Sequence, residues 1–217
     1  KRLTFFLPNI FTALNMACGM GSILLVWKQN FYMASMILVL GGIFDMVDGR
    51  MARLTGTESQ FGEQFDSLSD VVSFGMAPAI LFYFRFLSET GRAGIIASFI
   101  YLLCGALRLA RFNANIEKVG QSFFQGLPIP VGALGVVGIT LISIQHPLIL
   151  EYKISLGVFI LFISFLMISN LPFCSFKNSE FVRRHKKGVL LIIFIILAMA
   201  ALYEEYMVGV ITGFYIT

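Results

Sequence analysis

Asp45-Met46-Val47-Asp48-Gly49-Arg50-Met51-Ala52-Arg53 and, after eight residues, Gly62-Glu63-Gln64-Phe65-Asp66-Ser67-Leu68-Ser69-Asp70 together hold every aspartate of the 217-residue chain. Carboxylates three or four residues apart lie on one face of a helix. Two helices joined by a short turn can therefore aim Asp45, Asp48, Asp66 and Asp70 at one point. Everything around them is apolar. The chain is 58% hydrophobic with 13% charged residues and a mean hydropathy of +0.85, against about 25% charged residues in a soluble domain. Acids inside such a chain are costly unless something neutralises them.

Working outward, apolar runs of roughly 20 residues fall near 9–27, 31–54, 62–87, 93–115, 131–150 and 153–171. Two shorter ones, 188–203 and 205–217, flank Glu204-Glu205. The pattern predicts an all-α integral membrane protein, a polytopic bundle of six to eight transmembrane helices, in a single catalytic domain spanning 1–217. Lys1-Arg2 and Pro8 lead into a run that reads as a retained spanning helix. Cys18, Cys104 and Cys174 have no ligand spacing and read as small apolar residues.

Lysine and arginine placement predicts the orientation. With the N-terminus in the cytoplasm, twelve cations fall inside, including Arg50, Arg53, Arg108, Arg111, Lys118 and the Arg183-Arg184-His185-Lys186-Lys187 cluster. Four fall outside: Lys28, Arg85, Arg92 and Lys153. If the second helix enters from outside at Phe31, a rise of ~1.5 Å per residue puts Asp45 roughly 21 Å deep and Asp48 roughly 26 Å deep. Both then sit in the cytoplasmic third of a core about 30 Å thick. The third helix starts near Gly62 on that side, so Asp66 and Asp70 occupy its first turns. Two helices thus bring their acids to one depth.

Three readings of the cluster stand at this point. It is a polar plug satisfied by Arg50, Arg53 and backbone groups, or a cation path, or a hard-metal site of the magnesium, manganese or calcium type. Gly49, Ala52 and Gly62 clear space beside the acids, as a bulky ligand approaching the backbone requires. Metals flanked by arginine suit a phosphate-bearing substrate, because a pair of ions can clamp an in-line displacement at phosphorus. A transporter calls for acids at mid-membrane on broken helices; these lie to one side, and no proline adjoins them.

The arrangement Asp-x-x-Asp-Gly-x-x-Ala-Arg-x(8)-Gly-x-x-x-Asp-x-x-x-Asp, filled by Asp45, Asp48, Gly49, Ala52, Arg53, Gly62, Asp66 and Asp70, resembles the signature of the CDP-alcohol phosphatidyltransferase family. The resemblance implies a helical membrane enzyme, usually homodimeric, in which an alcohol displaces CMP from a CDP-linked lipid at the cytoplasmic interface. It implies that Asp45, Asp48, Asp66 and Asp70 hold Mg2+ or Mn2+, two ions per site, with Asp70 also the general base. Gly49, Ala52, Arg53 and Gly62 would then border the nucleotide and pyrophosphate of CDP-diacylglycerol. Pro8-Asn9-Ile10-Phe11-Thr12-Ala13-Leu14-Asn15, Arg108-Leu109-Ala110-Arg111-Phe112-Asn113 and Gly126-Leu127-Pro128-Ile129-Pro130 are similar to the membrane-bound phosphatidylserine synthase branch of that family.

That branch implies L-serine as acceptor and phosphatidylserine as product, in a prokaryotic cytoplasmic membrane. Glycerol 3-phosphate, an inositol derivative and choline remain alternative acceptors. Arg108 or Arg111 is the candidate partner for the serine carboxylate, since arginine offers a planar fork. The same arginines also fit simple inside anchoring. Asn9, Thr12 and Asn15 share one face of the first helix and either pack helices or line the CDP-lipid pocket.

Overall fold

The computed structural model describes residues 2–57, 59–115, 123–169 and 172–174. Helix α1 spans Arg2–Trp27 with Pro8 inside it, beginning ahead of the expected run. A reversal through Gln29 (φ 59°) follows. Asn30 then caps α2, Phe31–Thr55, by accepting from the Met33 N–H at 3.1 Å. Among the described elements, these helices form the most extensively packed pair.

The next turn decides where the acids meet. Gly56 adopts the left-handed conformation (φ 62°), and its N–H returns to the Ala52 carbonyl, which ends α2. A residue with a Cβ resists that φ, so glycine is the natural stop. Ser59 starts α3, Gln60–Asp70, by accepting from the Gly62 N–H at 3.1 Å, which pairs one of the unmet donors of a helix start. Stop and start lie three residues apart, so the end of α2 and the beginning of α3 share one end of the bundle.

α3 continues without a break into a longer apolar rod, Gln60–Thr90. Its backbone changes period on the way: a π-helical segment Val71–Met76, α4 over Ala77–Phe82, a second π segment Tyr83–Leu87 and a 3-10 turn Ser88–Thr90. α5, Arg92–Asn115, returns to the acidic end. α6, Ile129–Gln145, and α7, Lys153–Ile168, are joined through a 3-10 turn Pro147–Glu151. Strand β1, Phe123–Gln125, pairs antiparallel with β2, Pro172–Cys174.

Four of these helices are long and apolar enough to span a bilayer, and α6 and α7 are shorter apolar helices. The expected span at 131–150 is therefore corrected to a shorter one: it ran on through Pro-Leu-Ile-Leu, apolar residues that form the 3-10 turn instead. The expected span at 153–171 is α7, with 170 and 171 outside the described residues. The runs at 188–203 and 205–217 lie outside the described residues, as do Lys118 and the Arg183–Lys187 cluster.

The outward faces carry large apolar groups, including Ile10, Met20, Leu24, Ile95, Phe99 and Phe165, all more than half exposed. A soluble protein does not tolerate that much apolar surface; a lipid-embedded one requires it. In lipid, burial of apolar side chains adds little to helix association, so close packing and buried hydrogen bonds hold the helices. At Gly19 an added Cβ would fall 2.8 Å from the Ser73 Cα, so α1 touches the first π segment backbone to backbone. Ser69 donates to the Thr12 carbonyl at 3.0 Å and Ser73 to the Asn15 carbonyl at 2.8 Å; membrane hydrogen bonds of this kind average about 0.6 kcal/mol each. On the other side of the π segment the fully buried Tyr101 donates its hydroxyl to the Phe74 carbonyl at 3.1 Å.

Candidate active site

One carboxylate oxygen each from Asp45, Asp48 and Asp66 lies within 4.8 Å of the others. Asp70, buried one turn further along the rod from Asp66, has its carboxyl group beside that of Asp45. The geometry thus gathers the two pairs that the spacing assigns to facing helix surfaces. Asp48 is buried, and its Oδ2 lies 2.9 Å from the Thr12 hydroxyl, which also lies 3.2 Å from the Pro8 carbonyl. The single hydroxyl proton serves the shorter, charge-assisted contact better. Arg53, one turn after Gly49, is the arginine that couples electrostatically to Asp48.

Thr12, Asp48, Arg53 and Asp66 line a cleft of about 170 Å³; Asp45 and Asp70 are not among the described residues that line it. α1 contributes Pro8, Asn9 and Thr12; α2 contributes Asp48, Gly49, Ala52 and Arg53; the turn contributes Thr57 and Ser59; α3 contributes Gly62, Glu63 and Asp66. Of the residues expected at a nucleotide pocket, Asn9, Thr12, Gly49, Ala52, Arg53 and Gly62 all line this cleft. Asn15 does not; it lies fully buried one turn deeper. Thr57, Ser59 and Glu63 were not expected, although a polar turn wedged between two acid pairs could have pointed to them.

The donor set fits a hard divalent cation. Oxygens bound to one ion at roughly 2.0–2.6 Å lie at most about 4–5 Å apart, and the three carboxylate oxygens fall within 4.8 Å of one another. Asp66 Oδ1 is buried without a hydrogen-bond partner, and a cation is the natural complement of such an atom. Just after Asp70 the helix changes its period without breaking, and no proline adjoins the acids. π segments of this sort recur at functional sites.

The fourth expected segment is placed differently from the cleft. Arg108 is buried, with its guanidinium 6.0 Å from the Phe112 ring centre. Arg111 donates to the Ile168 and Ser169 carbonyls at 3.0 and 3.4 Å, at the C-terminal end of α7 where a cation is favoured. Neither arginine is among the described residues lining the cleft. Asn113 donates to the Ser67 hydroxyl at 2.9 Å, which binds the end of α5 to α3 next to Asp66. The glycine-proline segment is a structural joint: Gly126 has φ 78°, the Leu127 N–H donates to the Leu166 carbonyl at 3.0 Å, and Pro128 and Pro130 open α6.

A polytopic helical membrane protein with a cluster of acids beside a polar cleft at one end of its bundle defines a class: integral membrane proteins whose acid cluster has the spacing to hold a metal ion. The sequence profile of the CDP-alcohol phosphatidyltransferase family matches residues 5–215. The chain belongs to that family. It is 37% identical over 214 residues to a Helicobacter pylori (strain J99) protein named CDP-diacylglycerol–serine O-phosphatidyltransferase, covering 98% of this chain and 88% of that one. A Methanocaldococcus jannaschii protein of the same name is 42% identical over 172 residues, 79% of this chain and 75% of its own. The archaetidylserine synthase of Methanothermobacter thermautotrophicus is 37% identical over 182 residues, 80% and 72% of the two chains.

Proposed function

We propose that this protein transfers a phosphatidyl group from CDP-diacylglycerol to L-serine, giving phosphatidylserine and CMP. The observation that carries the reading is the meeting of Asp45, Asp48 and Asp66 within 4.8 Å beside a cleft lined by Asp48, Gly49, Ala52, Arg53, Gly62 and Asp66. The names of its relatives, across bacteria and archaea, agree on serine as acceptor.

In this reading Asp45, Asp48, Asp66 and Asp70 would hold two divalent ions, Mg2+ or Mn2+, which would supply positive charge to offset that of the pyrophosphate and of the leaving phosphate. Arg53 meets the same pyrophosphate, and Asn9, Thr12, Gly49, Ala52 and Gly62 shape the nucleotide pocket. The Thr12 hydroxyl holds Asp48 in place. The serine hydroxyl oxygen attacks the phosphatidyl phosphorus as the bond to the bridging pyrophosphate oxygen breaks. CMP leaves with the electron pair, and Asp70 takes the hydroxyl proton as general base.

Arg108, buried at the end of α5, is assigned to the serine carboxylate in this reading, and Arg111 to the α7 carbonyls it meets. The chain works as one domain and as a homodimer, with its N-terminus and site on the cytoplasmic side of a prokaryotic membrane, which the cation distribution favours.

The test supplies purified protein with CDP-diacylglycerol and, separately, serine, glycerol 3-phosphate, inositol and choline, and measures CMP release. Serine-dependent release is expected; release with another alcohol in preference to serine refutes the acceptor. Repeating the serine reaction with a CDP-linked archaeal ether lipid shows whether the lipid half is discriminated.

A further inference from the structure

Asn15 is fully buried, and neither its Oδ1 nor its Nδ2 has a hydrogen-bond partner. An orphaned amide in a membrane bundle is unfavourable unless the working state supplies its partner. The cleft does not, because Asn15 is absent from its lining.

Contacts with two neighbouring helices fix the depth of this amide. Asn15 Oδ1 stands 3.1 Å from the position a Cβ would take on Gly41, and Gly41 precedes Asp45 by one turn on the same face of α2. The Ser73 hydroxyl reaches the Asn15 carbonyl, and Asp70 lies three residues before Ser73 on the same rod. Helical side chains lean toward the start of their own helix. Asn15 and Asp70 therefore lean toward the acidic end, while Asp45, on the antiparallel α2, leans inward to meet them. The three groups come to one level at the junction of α1, α2 and α3. Asp70 Oδ1 is itself buried and unpartnered, so a donor and an acceptor, each lacking a partner, share that level.

We infer that Asn15 is a positioning residue for Asp70, with Nδ2 donating to Asp70 Oδ1 in the working enzyme, as Thr12 Oγ1 does for Asp48 one turn away. The inference rests on the reading of Asp70 as base and metal ligand, and it replaces the nucleotide contact expected of Asn15. A carboxylate fixed through one oxygen presents the other in a defined direction; outer-shell donors of this kind are worth about 10–100-fold in metal affinity or activity. Asn15 itself moves no proton.

The experiment compares Asn15→Leu and Asn15→Thr with wild type, alone and combined with Asp70→Asn. Asn15→Leu should lower kcat about 10–100-fold, leave the Kd for CDP-diacylglycerol within about threefold, and leave the metal-free Tm equal or higher because an orphaned amide has gone. Asn15→Thr, which offers a hydroxyl like that of Thr12, should recover much of the rate. In the Asp70→Asn background Asn15→Leu should cost nothing further.

Unchanged kcat in Asn15→Leu overturns the inference. So does a raised CDP-lipid Kd with kcat held, which marks a nucleotide contact, or a fallen Tm that Asn15→Thr fails to restore, which marks packing alone. Should the leucine variant not fold, Asn15→Ala is read by the same criteria. Full turnover in Asp70→Asn alone defeats the base reading, whereas an inactive Asp70→Asn beside a fully active Asn15→Leu defeats only the inference.

Discussion

Thr12→Val removes one hydroxyl proton and keeps the shape of the side chain. In the wild type that proton reaches Asp48 Oδ2 across 2.9 Å, in a position where Asp48 is only 5% exposed. Water cannot readily replace it. A hydrogen bond to a charged group contributes about 1.5–3 kcal/mol, and 1.4 kcal/mol is about tenfold in an equilibrium constant. Mn2+ affinity should therefore fall about 10–100-fold, and CDP-lipid affinity should fall with it. The Ser69 bond to the Thr12 carbonyl is a backbone contact and survives, so the α1–α3 packing should hold. The assay titrates Mn2+ into metal-stripped protein in detergent and follows free ion by electron paramagnetic resonance, with Tm recorded on the same samples. A Mn2+ affinity within twofold of wild type, at unchanged Tm, would refute the claim that Thr12 positions a metal-binding carboxylate.

Asp45→Asn, Asp48→Asn and Asp66→Asn should weaken metal and CDP-lipid binding together, while Asp70→Asn should lose far more turnover than nucleotide binding; equal losses of binding in all four would remove the special role of Asp70. Arg111→Lys should lower Tm, because a single ammonium replaces a fork that now meets two carbonyls, and should leave the serine KM within about twofold. Arg108→Lys should raise the serine KM at unchanged CDP-lipid affinity, and the opposite pattern in this pair would return Arg111 to the serine pocket. Gly19→Ala forces a Cβ to 2.8 Å from the Ser73 Cα and should cost about 1–3 kcal/mol, seen as a lower Tm; an unshifted Tm would show that α1 can move off the π segment freely.

The meeting of the acids is legible in their spacing, because i,i+3 and i,i+4 periodicity is a local property. The π segment after Asp70 was not legible. Its backbone follows from the Gly19 contact and from the bonds of Ser73 and Tyr101 to distant helices, none of which leaves a trace in the residues of the segment itself. Arg111 shows a different limit. An arginine at a helix end carries the same signal whether its fork meets a substrate carboxylate or the carbonyls of Ile168 and Ser169, and the partner helix is more than fifty residues away in sequence. The overlong fifth span arose because hydropathy counts apolar residues in a 3-10 turn as it counts them in a helix.

The most direct test follows isotopically labelled serine into lipid. Purified protein, stripped of metal by exhaustive chelation, is given CDP-diacylglycerol and labelled serine, with Mg2+ or Mn2+ restored or withheld. The account predicts labelled phosphatidylserine and CMP in equal amounts with the ion present, and neither without it. Full turnover in the chelated sample, or CMP released with no label reaching the lipid, would contradict it.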